Sequence, residues 1–249
     1  MTREILGIDV GGSSVKAALV DVERGQVSGT PISAPTPRPS TPAALTTVIA
    51  GLAARLPGAG GRVGVAFPSV IKNGIAHTAA NIDASWIGTN GETLAASALG
   101  RPVQFLNDAD AAGIAEMRFG SGRDCSGTVV MLTFGTGIGT ALFTGGRLFP
   151  NAELGHMELR GMDAEKWASA HARTAQRLDF PGWVARVNEY LQALHKLLWP
   201  DVFILGGAVS ARYAEFAPLL RAPAELRPAQ FAGHAGVIGA AMAAAEAGG

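Results

Sequence analysis

The sequence predicts an α/β protein built from two similar halves with a cleft between two lobes. Two observations predict it. Short apolar runs of strand length alternate with stretches of helical periodicity. A theme of strand, glycine turn and strand opens the chain and returns after residue 107. With 249 residues, 48% of them hydrophobic and 16% charged, the chain can bury a substantial core, as one large domain or two modest ones.

In order, residues 4–10 (EILGIDV) read as a strand entering a glycine turn, 15–22 as its partner, and 26–33 as a third strand after a turn at Gly25. This is a hairpin meander, not the strand–turn–helix of a nucleotide-binding βαβ unit. Residues 34–42 (APTPRPSTP) hold four prolines and predict irregular loop. Leu45, Ile49, Leu52 and Leu56 share one face of a helix. Residues 62–67 predict a buried strand ending at Pro68, 92–98 a short helix, and 103–106 a short strand. The second round has a helix over 109–117 and a strand over 127–133. The turn Gly135-Thr136-Gly137-Ile138-Gly139 then leads to a strand at 140–143. A helix over 184–198, a strand at 202–205 ending in Gly206-Gly207, and a small-residue helix over 235–247 complete the pattern. The expected division is 1–106 for the N-terminal lobe and 107–234 for the C-terminal lobe, with 235–249 packing back on the first.

Composition excludes several classes. Net charge is zero, so no global basic field for nucleic acid exists. Cys125 is the only cysteine, which rules out a disulfide framework and a thiolate metal cluster. No secretory signal opens the sequence and no apolar run spans a bilayer, so the expectation is a cytoplasmic protein without a membrane partner.

Five motifs carry the chemistry. In Asp9-Val10-Gly11-Gly12-Ser13-Ser14-Val15-Lys16, a glycine turn brings backbone N–H groups close to a phosphate, and Asp9 is placed to hold Mg²⁺ through water. An ordinary hairpin with a solvated aspartate is the competing reading. Thr133-Phe134-Gly135-Thr136-Gly137-Ile138-Gly139 offers a second anion nest, and neither turn has the Gly-Lys-Ser/Thr ending of a P-loop. Asn107-Asp108 follows a strand, where a carboxylate can take a hydroxyl proton, or can simply cap the next helix. Glu153 and His156 can converge on vicinal hydroxyls, and their surroundings lack zinc-ligand spacing, so no zinc site is expected. Gly206-Gly207, after a strand, can take the far end of a phosphate donor or form a plain turn. Lys16, Lys72, Arg101, Arg123, Arg147 and Lys166 are candidate anion contacts.

Taken in order, D-x-G-G-S, N-D-A-D, T-x-G-T-G-I-G, E-L-G-H and L-G-G-x-x-S resemble the ROK family of sugar kinases and related repressors. The resemblance runs through nearly the whole chain. It implies the two-lobed hexokinase/actin-like (ribonuclease H-like) fold, a mixed sheet in each lobe and an active-site cleft between the lobes. Departures are visible. Ser13 and Ser14 stand where members usually have Thr-Lys, with Lys16 two places later, and the Cys/His zinc insert after Gly-His is missing. Residues 155–169 run directly to Glu165 and Ser169. Those features, with NDADAAGIAE, FPNAELGH and WPDVFILGGAVS, look like the family's polyphosphate-using glucokinase branch.

The resemblance implies transfer from inorganic polyphosphate, with ATP as a further donor, to the 6-hydroxyl of glucose, with mannose as a further acceptor. It implies Asp108 as general base, and Asn107, Glu153, His156 and Glu165 on the other hydroxyls. Pro68, Ser69 and the NIDASW stretch at 81–86 would wall the sugar pocket. Asp9 with Gly11, Gly12, Ser13 and Ser14 would handle Mg²⁺ and the transferred phosphate, with Lys16 beside them. Gly135, Thr136, Gly137, Gly139, Gly206 and Gly207 would hold the rest of the donor. A homodimer is expected by family analogy alone. Two readings compete: a strictly ATP-dependent hexose kinase, and a sugar-responsive regulator. The second is disfavoured because Asp9 leaves no room before it for a helix-turn-helix.

Overall fold

The structure, a computed structural model, describes residues 3–56 and 61–248. The chain forms two compact units, Met1–Phe119 with His234–Gly249, and Gly120–Gly233.

The first unit contains β1 (Glu4–Val10), β2 (Ser14–Asp21), β3 (Gln26–Pro35), α1 (Pro42–Ala54), β4 (Val63–Phe67) and the small hairpin β5–β6 (Ile71–Lys72, Ile75–Ala76). It continues with α2 (Gly91–Leu99), β7 (Val103–Asn107) and α3 (Asp108–Phe119), and closes with the last helix, α8 (Ala235–Glu246). Its five-stranded sheet has the order β3-β2-β1-β4-β7. The β1–β2 and β2–β3 pairs are antiparallel, and β1–β4 and β4–β7 are parallel. Thr41 caps α1 through its side chain, Pro42 starts the helix, and Leu45, Ile49 and Leu52 point into the core. Leu56 lies past the helix end and packs on the rim of the same core. At the centre of that core, the rings of Phe67 and Trp86 lie 4.4 Å apart and those of Phe67 and Phe105 4.8 Å apart.

The second unit contains β8 (Thr128–Phe134), β9 (Ile138–Thr144), β10 (Arg147–Phe149), the hairpin β11–β12 (Glu158–Leu159, Met162–Asp163) and the helices α4 (Ala164–Ala168), α5 (Ala170–Ala175) and α6 (Phe180–Leu198). After these come β13 (Val202–Gly206), the helical turn α7 (Tyr213–Phe216) and β14 (Glu225–Pro228). Its sheet order, β10-β9-β8-β13-β14, repeats the first: two antiparallel pairs, then two parallel ones. The duplicated theme read from the glycine turns is therefore a duplicated mixed sheet. α6 covers this sheet with Trp183, Val184, Val187, Tyr190, Leu191 and Leu194, all buried.

Three expectations are corrected. The compact units divide at Phe119–Gly120, not at residue 106. The reason is that α3 packs on α8, where the Ala111 carbonyl lies so close to Gly239 that a Cβ there would strike it. The proline-rich stretch is not loop throughout, because β3 continues to Pro35, which pairs with Ser14. β3 is an edge strand, so a missing proline N–H leaves no neighbour unserved. The 109–117 helix begins one residue earlier, at Asp108.

Candidate active site

The glycine turn of the first unit is held from behind. The Gly11 N–H donates to the Ser14 carbonyl at 3.0 Å, and the Thr36 N–H donates to the Ser13 carbonyl at 3.1 Å. The Thr36 hydroxyl donates to the Gly11 carbonyl at 2.6 Å. With the carbonyls engaged, the N–H groups of Gly12 and Ser13 carry no hydrogen bond among the described residues. Two open N–H groups in a turn form an anion-binding concavity. Thr36, buried within the proline-rich stretch, is a supporting residue that sequence reasoning missed. Its neighbours are all loop formers, and nothing in its spacing ties it to Gly11.

Asp9 ends β1 and sits opposite Lys16 in the β1–β2 register. Burial pushes its carboxyl above the usual range, and the Lys16 charge opposes that push. The carboxylate lies against the backbone of Gly236, in the first turn of α8, where an added Cβ would come 2.7 Å from Asp9 Cγ. Gly236 thus admits Asp9 to the positive end of a helix. No local pattern signals this contact, since a glycine in an alanine-rich helix reads as packing.

Asn107 and Asp108 divide the roles that the sequence left open. Asn107 is buried and caps α3, its Oδ1 accepting from the Asp110 N–H at 3.0 Å, while its Nδ2 donates to the Ser69 carbonyl at 3.1 Å. Asp108, half-buried, is the first helical residue, and its Oδ1 accepts from the adjacent Ala109 N–H at 2.8 Å. The helix cap is therefore Asn107. Ser69 is buried, and its hydroxyl lies 2.7 Å from the Thr78 carbonyl, so it serves the loop after Pro68 and steadies Asn107 through its backbone. In the NIDASW stretch, Trp86 is core, its indole N–H donating to the Ser40 carbonyl at 2.9 Å, and Asn81 lies beside Gly12.

In the second unit, the turn after β8 repeats the first. The Gly135 N–H donates to the Gly137 carbonyl, and the His171 N–H donates to the Gly135 carbonyl, both at 3.0 Å. The N–H groups of Thr136 and Gly137 carry no hydrogen bond among the described residues. Gly139 is part of β9 and pairs with Thr133. Gly206 pairs with Thr133 from the other side. Gly207, at φ +85°, lies on the Phe134 backbone, a conformation and closeness that a side chain resists. The structure thus brings Gly206-Gly207 and the 135–139 turn together.

Beside this turn lies a cluster of charged groups. His156 Nε2 is 3.8 Å from Glu153 Oε2, and His156 Nδ1 is 3.7 Å from Asp163 Oδ2. Lys166 Nζ stands 3.1 Å from the same Asp163 oxygen and, with His156, holds that carboxyl below its usual range. Burial raises the Glu153 carboxyl; the His156 ring lowers it and Glu165 raises it further. Glu165 Oε2 accepts from the Ile138 N–H at 3.2 Å. The 153–156 segment is fixed to β9 by buried Thr140, whose hydroxyl contacts the Ala152 carbonyl and accepts from the Leu154 N–H at 3.0 Å. His156, Asp163 and Glu165 offer ligand atoms within 4.8 Å of one another, the one such group among the described residues. Cys125 lies elsewhere, accepting from Arg227 Nη1 at 3.1 Å. Among the remaining candidate cations, Arg101 donates to the Gly61 carbonyl and Arg123 sits beside Asp124. Asp163 is the member of the cluster that sequence reasoning passed over.

The family model described as ROK matches residues 5–175. The chain belongs to the ROK family. Among ROK relatives, it is 44% identical over 242 residues to a polyphosphate glucokinase of Mycobacterium tuberculosis, covering 97% of this chain and 91% of that one. A polyphosphate glucokinase of Mycobacterium leprae is 42% identical, covering 95% of this chain and 73% of that one. Among solved structures, an inorganic polyphosphate/ATP-glucomannokinase from Arthrobacter sp. strain KM superposes with a TM-score of 0.95 at 42% identity. That match covers 98% of this chain and 99% of that one. A ROK glucokinase from Streptomyces griseus, at 24% identity and a TM-score of 0.77, shares the fold.

Proposed function

We propose that this ROK protein transfers the terminal phosphoryl group of inorganic polyphosphate to the 6-hydroxyl of glucose, giving glucose 6-phosphate. The observation that carries this reading is the 44% identity to a polyphosphate glucokinase across 97% of the chain. ATP as a second donor and mannose as a second acceptor draw their support from the likeness to a polyphosphate/ATP-glucomannokinase at a TM-score of 0.95.

In this reading Asp108 accepts the 6-hydroxyl proton as the sugar oxygen bonds to the terminal phosphorus. The bridging P–O bond breaks, and the donor leaves one phosphate shorter. Phosphoryl transfer asks mainly for positioning and charge stabilisation, so one well-placed acceptor suffices. Asn107, held by Ser69 and the start of α3, binds a neighbouring hydroxyl, as do Glu153, His156 and Glu165. Pro68 walls the sugar, and Ser69 acts behind it. The open N–H groups of Gly12, Ser13, Thr136 and Gly137 take donor oxygens, with Ser14 shaping the first turn and Gly139, Gly206 and Gly207 shaping the second.

Asp9, an oxygen donor beside the first turn, fits Mg²⁺ held through water, and Lys16 balances its charge. When bound, Mg²⁺ neutralises negative charge on the donor phosphates. By family analogy the protein acts as a cytoplasmic homodimer without nucleic-acid or membrane partners. Sedimentation at a mass of one chain would contradict the dimer.

The test crosses glucose, mannose and fructose with polyphosphate and ATP at equal concentrations of phosphate ends. Turnover of glucose with polyphosphate is expected. Turnover with ATP alone would make the protein a strictly ATP-dependent kinase.

A further inference from the structure

Glu165 does not stand free beside the sugar-binding candidates. Its Oε2 accepts from the Ile138 N–H, inside the glycine turn that the sequence assigns to the phosphate donor. A Cβ built on Gly137 would run into that same oxygen, and apart from Glu165 nothing lies near enough to obstruct it. The turn's shape is set independently, by the Gly135–Gly137 backbone bond and by the His171 N–H. On α6, Tyr190 is fully buried and its hydroxyl has no hydrogen-bond partner. Burial, and then the Glu165 charge, push its ionisation upward, so the carboxylate lies within electrostatic reach of that hydroxyl.

We propose that Gly137 and the Ile138 N–H form a seat for the Glu165 carboxylate, with the buried Tyr190 hydroxyl acting on it through space, making Gly137 and Tyr190 positioning residues for the sugar. The inference rests on the reading of Glu165 as a sugar ligand. Gly137 is required there because a methyl group would occupy the space of the carboxylate oxygen. The obstructing atom is the mobile end of a side chain, so Gly137→Ala moves Glu165 and leaves the turn intact. The Tyr190 O–H is buried without a hydrogen-bond partner, a costly arrangement, and the Glu165 charge is the one that acts on it.

The test measures glucose affinity by calorimetry without donor, and KM for glucose and polyphosphate separately. It covers the wild type, Gly137→Ala, Tyr190→Phe, Glu165→Ala and the double variants with Glu165→Ala. Loss of a charge-assisted hydrogen bond to the sugar weakens binding roughly ten- to hundredfold. Gly137→Ala is expected to weaken glucose binding to that degree, and Tyr190→Phe to do so more mildly. In the Glu165→Ala background both effects should vanish, because each residue acts through that carboxylate.

Unchanged glucose affinity in Gly137→Ala, or a rise in polyphosphate KM alone, would overturn the seat. An effect of equal size with and without Glu165 would do the same. If Gly137→Ala does not fold, Tyr190→Phe decides by the same criteria. A wild type that binds no glucose would instead defeat the function reading, so the two failures are distinguishable.

Discussion

Asp9 carries a conflict that can be measured. Its carboxyl is raised by burial, so the folded chain holds this proton more tightly than the unfolded chain. Stability from this group is present in full below the unfolded carboxyl range, near about 4, and is lost as pH rises through the folded value. Asp9→Asn should therefore raise the melting temperature at neutral pH, with the gain fading as pH falls through the raised folded value and absent below about 4, while turnover at limiting Mg²⁺ collapses. Differential scanning calorimetry across pH checks the first part. Gly236→Ala tests the same carboxylate from the helix side. In an ordinary helix that change stabilises by up to ~1 kcal/mol. Here it displaces Asp9, and the Mg²⁺ concentration for half-maximal rate should rise severalfold. Thr36→Val removes the hydroxyl bond to the Gly11 carbonyl. It should cost about 1 kcal/mol of stability and raise polyphosphate KM with little change in glucose KM. Glu153 gives a pH signature of its own. Its raised carboxyl must ionise to accept from a sugar hydroxyl, so glucose KM should climb as pH falls through that range.

At the scale of elements, α8 explains the chain's wealth of small residues. On β1 and β4, Gly7 and Gly64 lie directly under the Val237 and Ala240 carbonyls of α8, closer than any side chain would allow. Gly64→Ala meets rigid backbone, where Gly137→Ala meets a movable carboxylate. It should destabilise by about 1–3 kcal/mol in denaturant unfolding. Leu191→Ala, in the fully buried face of α6, should cost about 2–5 kcal/mol. Elements with strong periodicity or long apolar runs were legible in the sequence: the central strands, α1 and α6. β14, reading Glu225–Pro228, was not, because an exposed edge strand of mixed polarity leaves no alternating pattern. The end of β3 was hidden for a related reason, since proline is compatible with an edge strand and incompatible with a central one.

At the scale of the whole molecule, one sheet order occurs twice, and in each unit a glycine turn lies between the first two strands of the hairpin. The motifs announced those turns because glycine spacing is local. What braces them was silent: Thr36 for one, His171 for the other, each reached through the fold and not through neighbouring sequence. Asp163 was silent for the same reason, lying seven positions beyond His156 across a hairpin. The role of Asp108 as base of a polyphosphate-dependent glucose kinase is decided by the turnover of Asp108→Asn with polyphosphate, measured beside its glucose affinity. The substitution keeps the size and polarity of the side chain, and Asn107 still caps α3. Glucose affinity should stay within about twofold of wild type while turnover falls by roughly 10²–10⁴-fold. Turnover close to wild type would remove Asp108 from that role.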